Sequence, residues 1–246
     1  MKAAVLYMRR AMGPTKFGDC VRDLAVADFM PTKKHPQGPR MIENRWQSLC
    51  DMYVNLGRNA LVRHFLDSLK ADLFFSLDDD SDFLPWQFYE TVSHVDPVLR
   101  PIVSGLYFAH NGEERARARP LVLRKNEAGK MKTIWNYRPN TLEPVDSVGM
   151  GFCAIHRRVL EEWRAKHGDT WFNFTGTGLS DGFRIEDASF AQRMQSIGAK
   201  SFVHTGVTVG HLKIKVVGEA DYLFRRSLEE AVARKQTDKA KESQAA

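Results

Sequence analysis

Cysteine is scarce in this chain. Cys20, Cys50 and Cys153 are the only cysteines among its 246 residues. Their odd number and wide spacing exclude the disulfide framework of a small secreted domain, and they do not fit the ligand spacing of a zinc site. We therefore expect reduced, buried thiols in a cytoplasmic protein.

Long apolar runs are also missing. The apolar run near the beginning of the chain, residues 3–8, has six residues before Arg9 and Arg10. It is too short for the apolar region of a signal peptide, and no other run has the length of a membrane span. We expect no targeting segment and no membrane partner.

The composition is that of a folded domain with a modest positive charge. Hydrophobic residues make up 43% and aromatic residues 11%, enough for one large α/β domain or two small ones. The net charge is +6, and residues 234–246 carry four bases and two acids, which leaves the rest at +4. This surplus favours phosphorylated ligands and permits a nucleic-acid partner. We predict a single domain over residues 1–233 and a disordered polar tail over residues 234–246.

One acidic stretch organises the sequence. Residues 73–77, mostly apolar, predict a short strand buried on both faces, as in a parallel sheet. Asp78, Asp79 and Asp80 follow directly, and Asp82 adds a fourth carboxylate. A solvated acidic turn is the plainer interpretation. Ligands of open α/β sheets, however, bind beyond the carboxyl ends of strands, and oxygen ligands suit Mg²⁺ or Mn²⁺.

Strands and helices alternate along the rest of the chain. This order predicts an α/β domain with a mostly parallel, mixed central sheet flanked by helices. A helix is expected to begin near Glu43 and to end at Gly57, and a second one to open with Asn59 as its N-cap. The other expected helices cover residues 86–94, 157–166 and 187–196, and the other expected strands cover residues 2–8, 100–108, 134–137 and 199–209. Gly149 and Gly151, within residues 145–155, predict a close approach of the backbone.

Taken together, several motifs resemble the GT-A type of nucleotide-sugar glycosyltransferase. The similarity covers residues 58–213 and depends on four segments in a fixed order. They are Arg58-Asn59 before the acidic strand, Leu77 to Asp80, Val148 to Arg157, and Glu186 to Arg193. The resemblance implies a single Rossmann-like domain that transfers a sugar from a nucleotide-diphosphate sugar. In its short length, the chain resembles the compact, stand-alone members found in bacteriophages and bacteria.

The resemblance also implies a metal site and a catalytic base. Asp80 would bind Mn²⁺ or Mg²⁺, with His211 as a second protein ligand, and the ion would neutralise the leaving diphosphate. Glu186 and Asp187 match the acidic pair that supplies the base in inverting members. The plainer interpretations are that Asp187 is a helix-start residue favoured by the helix dipole and that His211 is a surface histidine at a strand end. The positions implied to contact a UDP- or GDP-type donor are Arg58, Asn59, Asp78, Asp79, Gly149 and Gly151.

A basic segment suggests the acceptor. Arg115, Arg117 and Arg119 alternate with small residues, so on an extended arm their guanidinium groups would lie on one side and could follow phosphates. We expect residues 113–132 to form a hairpin or a surface arm that binds a polyanionic acceptor, such as a modified DNA base, or a phage or bacterial protein. Trp135 is a candidate sugar platform, although Trp135 and Tyr137 are more typical of a core.

Other functions compete with sugar transfer. A haloacid-dehalogenase-type phosphatase also places an Asp-x-Asp motif after a strand, but normally after the first one. A nucleotidyltransferase would have a glycine- and arginine-rich loop after its first strand, and residues 12–18 fit such a loop poorly. A non-enzymatic nucleic-acid-binding module would use the basic arm alone, and would then have no metal-dependent affinity for nucleotides.

Overall fold

The computed structural model describes residues 1–9, 15–43, 47–50, 53–110, 118–174 and 186–212, with five positions between 223 and 230. The chain divides into two units, Met1–Leu212 and Lys213–Ala246, and every element named below belongs to the first. The predicted tail lies outside the described residues, so the domain boundary after residue 233 stays a prediction. Within the described part, no helix combines the length and the apolar content that a membrane crossing needs.

Twelve strands and five helices lie within the described residues. The strands are β1 (Ala3–Arg9), β2 (Gln47–Cys50), β3 (Leu73–Asp78), β4 (Ser81–Asp82), β5 (Ile102–His110), β6 (Ala118–Pro120), β7 (Val122–Lys125), β8 (Met131–Thr133), β9 (Leu142–Val145), β10 (Ser147–Val148), β11 (Phe152–His156) and β12 (Ser201–His211). The helices are α1 (Thr15–Phe29), α2 (Val54–Ser68), α3 (Pro85–Ser93), α4 (Arg157–His167) and α5 (Glu186–Ser196).

The main sheet is mixed and mostly parallel, as predicted. Its strands follow the order β2-β1-β3-β11-β5-β12-β4, with β6 paired to β5 and β9 paired to β12. Strands β2, β1, β3, β5 and β12 run in one direction, because β11 is antiparallel to both β3 and β5. Their carboxyl ends therefore meet at one edge of the sheet. Strands β10, β7 and β8 form a separate small sheet.

Helices cover both faces of the main sheet. Phe74 of β3 packs into the hydrophobic cluster that contains apolar residues of α2, α4 and α5. Its neighbours Leu73 and Phe75 pack into the opposite cluster, with residues of α1 and α3. Because successive side chains of a strand point to opposite faces, a strand covered on both sides must be apolar throughout. This explains the apolar run before the acidic stretch, which confirms the predicted buried strand.

The prediction for residues 43–59 is wrong. Residues 47–50 form β2, which pairs in parallel with β1, and α2 begins at Val54, before Gly57 and Asn59. Sheet pairing with β1 overrides the helical spacing of that segment. Gly57 lies inside α2, at a position where a Cβ would be 2.5 Å from Met8 Cε. The glycine is explained by this close approach of β1, not by a helix end.

Two smaller expectations have different outcomes. No strand forms over residues 134–137, and Trp135 is 60% exposed, so its predicted place in the core is wrong. Tyr137, in contrast, packs against the core. The hairpin predicted within residues 113–132 is present as β7 and β8, which pair antiparallel, whereas residues 111–117 lie outside the described part.

Candidate active site

The acidic stretch lies at the carboxyl end of β3, where the backbone is held by two neighbouring strands. Asp78 is the last residue of β3, and its N–H donates to the Gly151 carbonyl at 3.1 Å. The Ser81 hydroxyl donates to the same carbonyl at 2.8 Å. On the other side, the Leu212 N–H donates to the Asp80 carbonyl at 2.6 Å. The acidic residues are therefore fixed between β11 and the end of β12.

Asp79 and Asp80 are buried, with only 6% and 5% of their surface exposed. A plain solvated turn would leave its carboxylates in water, so the structure argues against that interpretation of the acidic stretch. A buried carboxylate needs hydrogen bonds or a cation to offset its lost hydration. The geometry around Asp80 shows two such partners.

Asp80 and His211 face each other. His211 Nε2 lies 2.9 Å from Asp80 Oδ2, and its Nδ1 lies 2.8 Å from the Phe108 carbonyl oxygen. Because a carbonyl oxygen only accepts, Nδ1 carries a proton and donates, which leaves the lone pair of a neutral ring on Nε2. That lone pair and a carboxylate oxygen repel each other unless a proton or a cation lies between them. The pair is therefore either bridged by a proton or able to bind a divalent cation, with the Phe108 carbonyl orienting the imidazole.

Tyr107 completes this side of the site. Its hydroxyl donates to Asp80 Oδ1 at 3.1 Å, and its ring stacks on His211 with centroids 4.6 Å apart. Burial and the charges of Asp78 and Asp80 raise the pKa of the phenol far above its usual range, so the hydroxyl remains a donor. Tyr107 was not among the site residues predicted from the sequence. The available signal was a tyrosine near the carboxyl end of a predicted strand.

Arg58 joins three carboxylates. It is 4% exposed, and its guanidinium lies 2.7 Å from Glu186 Oε1 and 2.8 Å from Asp78 Oδ1, and it also contacts Asp187 Oδ1. Burial alone would lower its pKa, but the neighbouring charges, that of Asp187 foremost, raise it well above its usual range. Arg58 therefore stays charged and ties α2 to the end of β3 and the start of α5.

Asp187 has the electrostatics of a proton acceptor near neutral pH. Burial raises its pKa to about 6, Arg58 opposes that rise, and the charges of Glu186 and Asp78 add to it. Its Oδ2 accepts the Met150 N–H at 3.2 Å, which fixes the carboxyl group. With Gly149 and Leu121, Asp187 lines a cavity of about 30 Å³. A cavity of this size can hold a water molecule.

Gly149 and Gly151 allow close packing within the fold. A Cβ on Gly151 would lie 2.6 Å from Tyr107 Cε1 and 3.0 Å from Asp78 Oδ2. A Cβ on Gly149 would lie 3.1 Å from Leu121 Cβ. Both glycines therefore have a steric reason within the protein, and their contact with a donor stays a prediction.

Asn59 holds the segment that follows α4. Its side-chain oxygen accepts the N–H groups of Trp171 and Phe172 at 3.0 and 2.8 Å, and its amide donates to the Phe172 carbonyl at 2.7 Å. The N-cap role expected for Asn59 is wrong, because it lies inside α2. Its predicted contact with a nucleotide sugar stays a prediction.

The predicted acceptor residues are only partly described. Arg119 lies in β6 and pairs with Ala109 of β5, the strand that carries Tyr107, and its side chain is exposed. Arg115 and Arg117 lie outside the described residues. Trp135 is exposed in the segment after β8.

The fold is similar to two solved structures. The first, A197 from STIV, has a TM-score of 0.51 and 16% identity, covering 89% of this chain and 97% of that one. The second, GalNAc-T7 with UDP, GalNAc and Mn²⁺, has a TM-score of 0.54 and 11% identity, covering 86% of this chain. This chain spans 44% of that glycosyltransferase. No protein-family model matches the sequence, and no curated protein matches it significantly. The likeness shows a GT-A-like fold.

Proposed function

We propose that this protein is a metal-dependent glycosyltransferase that moves a sugar from a nucleotide-diphosphate sugar to an acceptor hydroxyl. The observation that carries the proposal is that the Asp80–His211 pair and the half-buried Asp187 carboxyl both lie at the carboxyl edge of a GT-A-like sheet. The similar fold of GalNAc-T7, solved with UDP and Mn²⁺, supports it.

Asp80 and His211 would hold the cation, Mn²⁺ or Mg²⁺. When bound there, the cation supplies positive charge that stabilises the leaving diphosphate. Tyr107 holds Asp80 in place by donating a hydrogen bond to its Oδ1, and the Phe108 carbonyl holds His211 by accepting one from its Nδ1. Asp78 and Asp79 lie two and one residues before Asp80 and are proposed to contact the nucleoside of a UDP- or GDP-type donor.

Asp187 is proposed as the general base, with Glu186 as the neighbouring carboxylate of the pair. The acceptor oxygen forms a bond to the anomeric carbon, and its proton passes to Asp187. The bond between that carbon and the diphosphate oxygen breaks, and the electron pair leaves with the diphosphate. Attack from the face opposite the leaving group inverts the anomeric configuration.

Arg58 is proposed as a positioning residue. It binds Asp78 on the donor side and both Glu186 and Asp187 on the acceptor side. Because its charge opposes the effect of burial on Asp187, Arg58 keeps the base from being protonated at neutral pH.

The acceptor is proposed to be a polyanion, such as DNA with a hydroxylated base, or a phage or bacterial protein. Arg119 beside the end of β5, and the residues 115 and 117 that precede it, would contact its phosphates. Trp135 offers an exposed aromatic face for a sugar or a base. A base within a duplex would have to be read in the major groove or flipped out of the stack.

A donor-binding experiment tests the proposal. The melting temperature would be measured with UDP, GDP and their sugar conjugates, with and without Mn²⁺. At 100 times its Kd, a ligand that binds only the folded state adds about 2.7 kcal/mol of stability. Each kcal/mol moves the Tm of a domain this size by about 2–4 °C. We expect a Mn²⁺-dependent rise of several degrees for one nucleotide class, together with slow release of the nucleoside diphosphate from its sugar conjugate.

Asp80→Ala should abolish this rise, and Asp82→Ala is the matched control. Asp82 belongs to the same acidic stretch, but its side chain is 40% exposed and lies 3.6 Å from Lys16. Equal shifts in both variants, or no Mn²⁺-dependent shift for any nucleotide, would contradict the metal-dependent mechanism.

A further inference from the structure

A second group of metal-binding side chains lies away from the candidate active site. Glu90 and His94 are one helical turn apart at the end of α3, and His204 lies on β12. His204 pairs with Gly105 of β5 and precedes His211 by seven residues on the same strand. At about 3.3 Å per residue, the two histidines are on the order of 20 Å apart. The two sites are therefore distinct.

The three side chains already converge on one point. Glu90 Oε1 lies 3.0 Å from His94 Nε2 and 3.5 Å from His204 Nε2. One ligand atom from each residue lies within 4.8 Å of the other two. Four ligands at about 2.0–2.2 Å around a tetrahedral cation are roughly 3.3–3.6 Å apart. The 3.5 Å separation therefore fits, and small rotations of the imidazoles would bring the other two into this range.

The backbone of β12 is shaped around the His204 ring. The pairing register with β5 shifts between His204 and Thr208. A Cβ on Gly206, within this bulge, would lie 3.0 Å from His204 Cε1 and 2.8 Å from Asn140 Oδ1. Glycine therefore leaves the space that the imidazole occupies, and the bulge aims the ring at α3.

The protonation of His204 follows from its contacts. Its Nδ1 accepts the Gly206 N–H at 3.2 Å, so in the metal-free protein the ring proton lies on Nε2, facing Glu90. A cation bound to Nε2 needs the other tautomer, with the proton on Nδ1. Binding therefore breaks the weak Gly206 hydrogen bond, and the ring must turn so that its Nδ1–H no longer faces the Gly206 N–H.

Glu90 also lies on the wall of a cavity of about 820 Å³ between α1, α3 and the loop after α1. The cavity has the size of a small-molecule site, and Val26, Met30, Met41, Trp86 and Tyr89 give it a mostly apolar lining. Three protein ligands leave a tetrahedral ion one open position.

We infer that Glu90, His94 and His204 bind a divalent transition metal of the zinc type, at the edge of this cavity. One carboxylate and two imidazoles are the ligands that Zn²⁺ prefers, whereas Mn²⁺ and Mg²⁺ favour oxygen-rich sites. The inference does not depend on the proposed sugar transfer.

Metal titration of the tag-free chain tests it. Zn²⁺ binding would be measured by calorimetry, and Co²⁺ binding by the visible absorption that a four-coordinate Co²⁺ ion gives. We expect one site that persists in His211→Gln, which removes a ligand of the candidate active site. Glu90→Gln and His94→Gln should each weaken Zn²⁺ binding at least ~10-fold, since even outer partners of metal ligands contribute that much.

His35→Gln, in the loop beside the cavity, is the matched control and should bind Zn²⁺ as the wild type does. Glu90 and His94 are 44% and 32% exposed at their side chains, so their variants should fold, which circular dichroism would check. Unchanged Zn²⁺ affinity in both variants, or loss of the site only in His211→Gln, would overturn the inference.

Discussion

At the scale of single residues, the proposed mechanism depends on Asp187. Burial raises the pKa of its carboxyl by more than the ion pair with Arg58 lowers it. A buried carboxyl beside two other carboxylates holds its proton to a higher pH than it would in water. Arg58 limits this effect. The balance leaves a group that is mostly ionised at pH 7 and still basic enough to accept a proton.

The rate of sugar transfer should therefore rise with pH through about 6, as Asp187 loses its proton and becomes a base. Asp187→Asn keeps the shape but not the basicity, so we expect kcat to fall by ~10²-fold or more and the rise with pH to disappear. Mn²⁺-dependent donor affinity should survive. The measurement is kcat/KM from pH 5 to 8, with donor affinity determined separately.

Glu186→Gln is the comparison for that experiment. It removes the neighbouring carboxylate of the acidic pair, which lies 2.7 Å from the Arg58 guanidinium, while leaving Asp187 in place. If Asp187→Asn lost donor affinity as strongly as it lost transfer, Asp187 would belong to the nucleotide site instead of acting as the base.

Most of the candidate site residues could be proposed from the sequence, but Tyr107 and the partners of the other side chains could not. The acidic run, the Glu186–Asp187 pair and His211 each stand next to a predicted strand or helix end. The Arg58 contacts join residues 128 and 129 positions apart, and only the folded sheet sets those distances. The same holds for Tyr107, whose role depends on which strand lies beside β12.

At the scale of elements, the contact between β11 and β5 determines the shape of the site. β11 begins next to Gly151, whose missing side chain admits the Tyr107 ring and Asp78. The sequence predicted a close backbone approach near Gly149 and Gly151, but not its partner. The misplaced helix boundary at Gly57 has a similar cause, since that glycine makes room for Met8 of β1.

Gly151→Ala should destabilise the protein and disturb the metal site. The new methyl group would lie 2.6 Å from Tyr107 Cε1, and overpacking of this kind typically costs ~1–3 kcal/mol. Displacing Tyr107 would also release Asp80 from its hydrogen bond. The free energy of unfolding in urea and the Mn²⁺-dependent nucleotide affinity should both fall.

Gly18→Ala is the matched control, because Gly18 lies in α1 and nothing would be within 4 Å of the added Cβ. Alanine is also the better helix former, so this variant should be as stable as the wild type or more stable. Equal free energies of unfolding for Gly151→Ala and Gly18→Ala would contradict the prediction, because they would show that Tyr107 moves aside at little cost.

At the scale of the whole molecule, the fold class followed from the order of apolar runs, whereas the strand order did not. Alternating strands and helices predict a mostly parallel sheet, and the structure has one. The insertion of the antiparallel β11 between β3 and β5 is a long-range pairing with no local signal. That insertion brings Gly151 and Met150 to the acidic residues, so the site depends on the part of the topology that is hardest to predict.

The last prediction concerns the proposed acceptor and follows from the positive net charge of the chain, +6. Arg124 donates to the Pro144 carbonyl at 3.0 Å, and Lys125 to Gln195 Oε1 at 2.7 Å, so these two bases serve contacts within the fold. Arg119 and the residues 115 and 117 before it are the better candidates for phosphate contacts. Transfer to hydroxymethylated DNA should weaken steeply with salt, because phosphate binding releases counterions.

Changing Arg115, Arg117 and Arg119 together to Ala should weaken DNA binding and make its salt dependence less steep, by a slope of about 1 for each phosphate that is no longer bound. Changing Arg22, Lys33 and Lys34 to Ala removes three exposed bases from α1 and the following loop, and should leave the slope unchanged. Both sets would be assayed for transfer between 50 and 300 mM salt, roughly the range over which phosphate contacts weaken. Activity on a protein or small acceptor without transfer to any DNA would exclude the polyanionic acceptor while leaving the sugar-transfer mechanism intact.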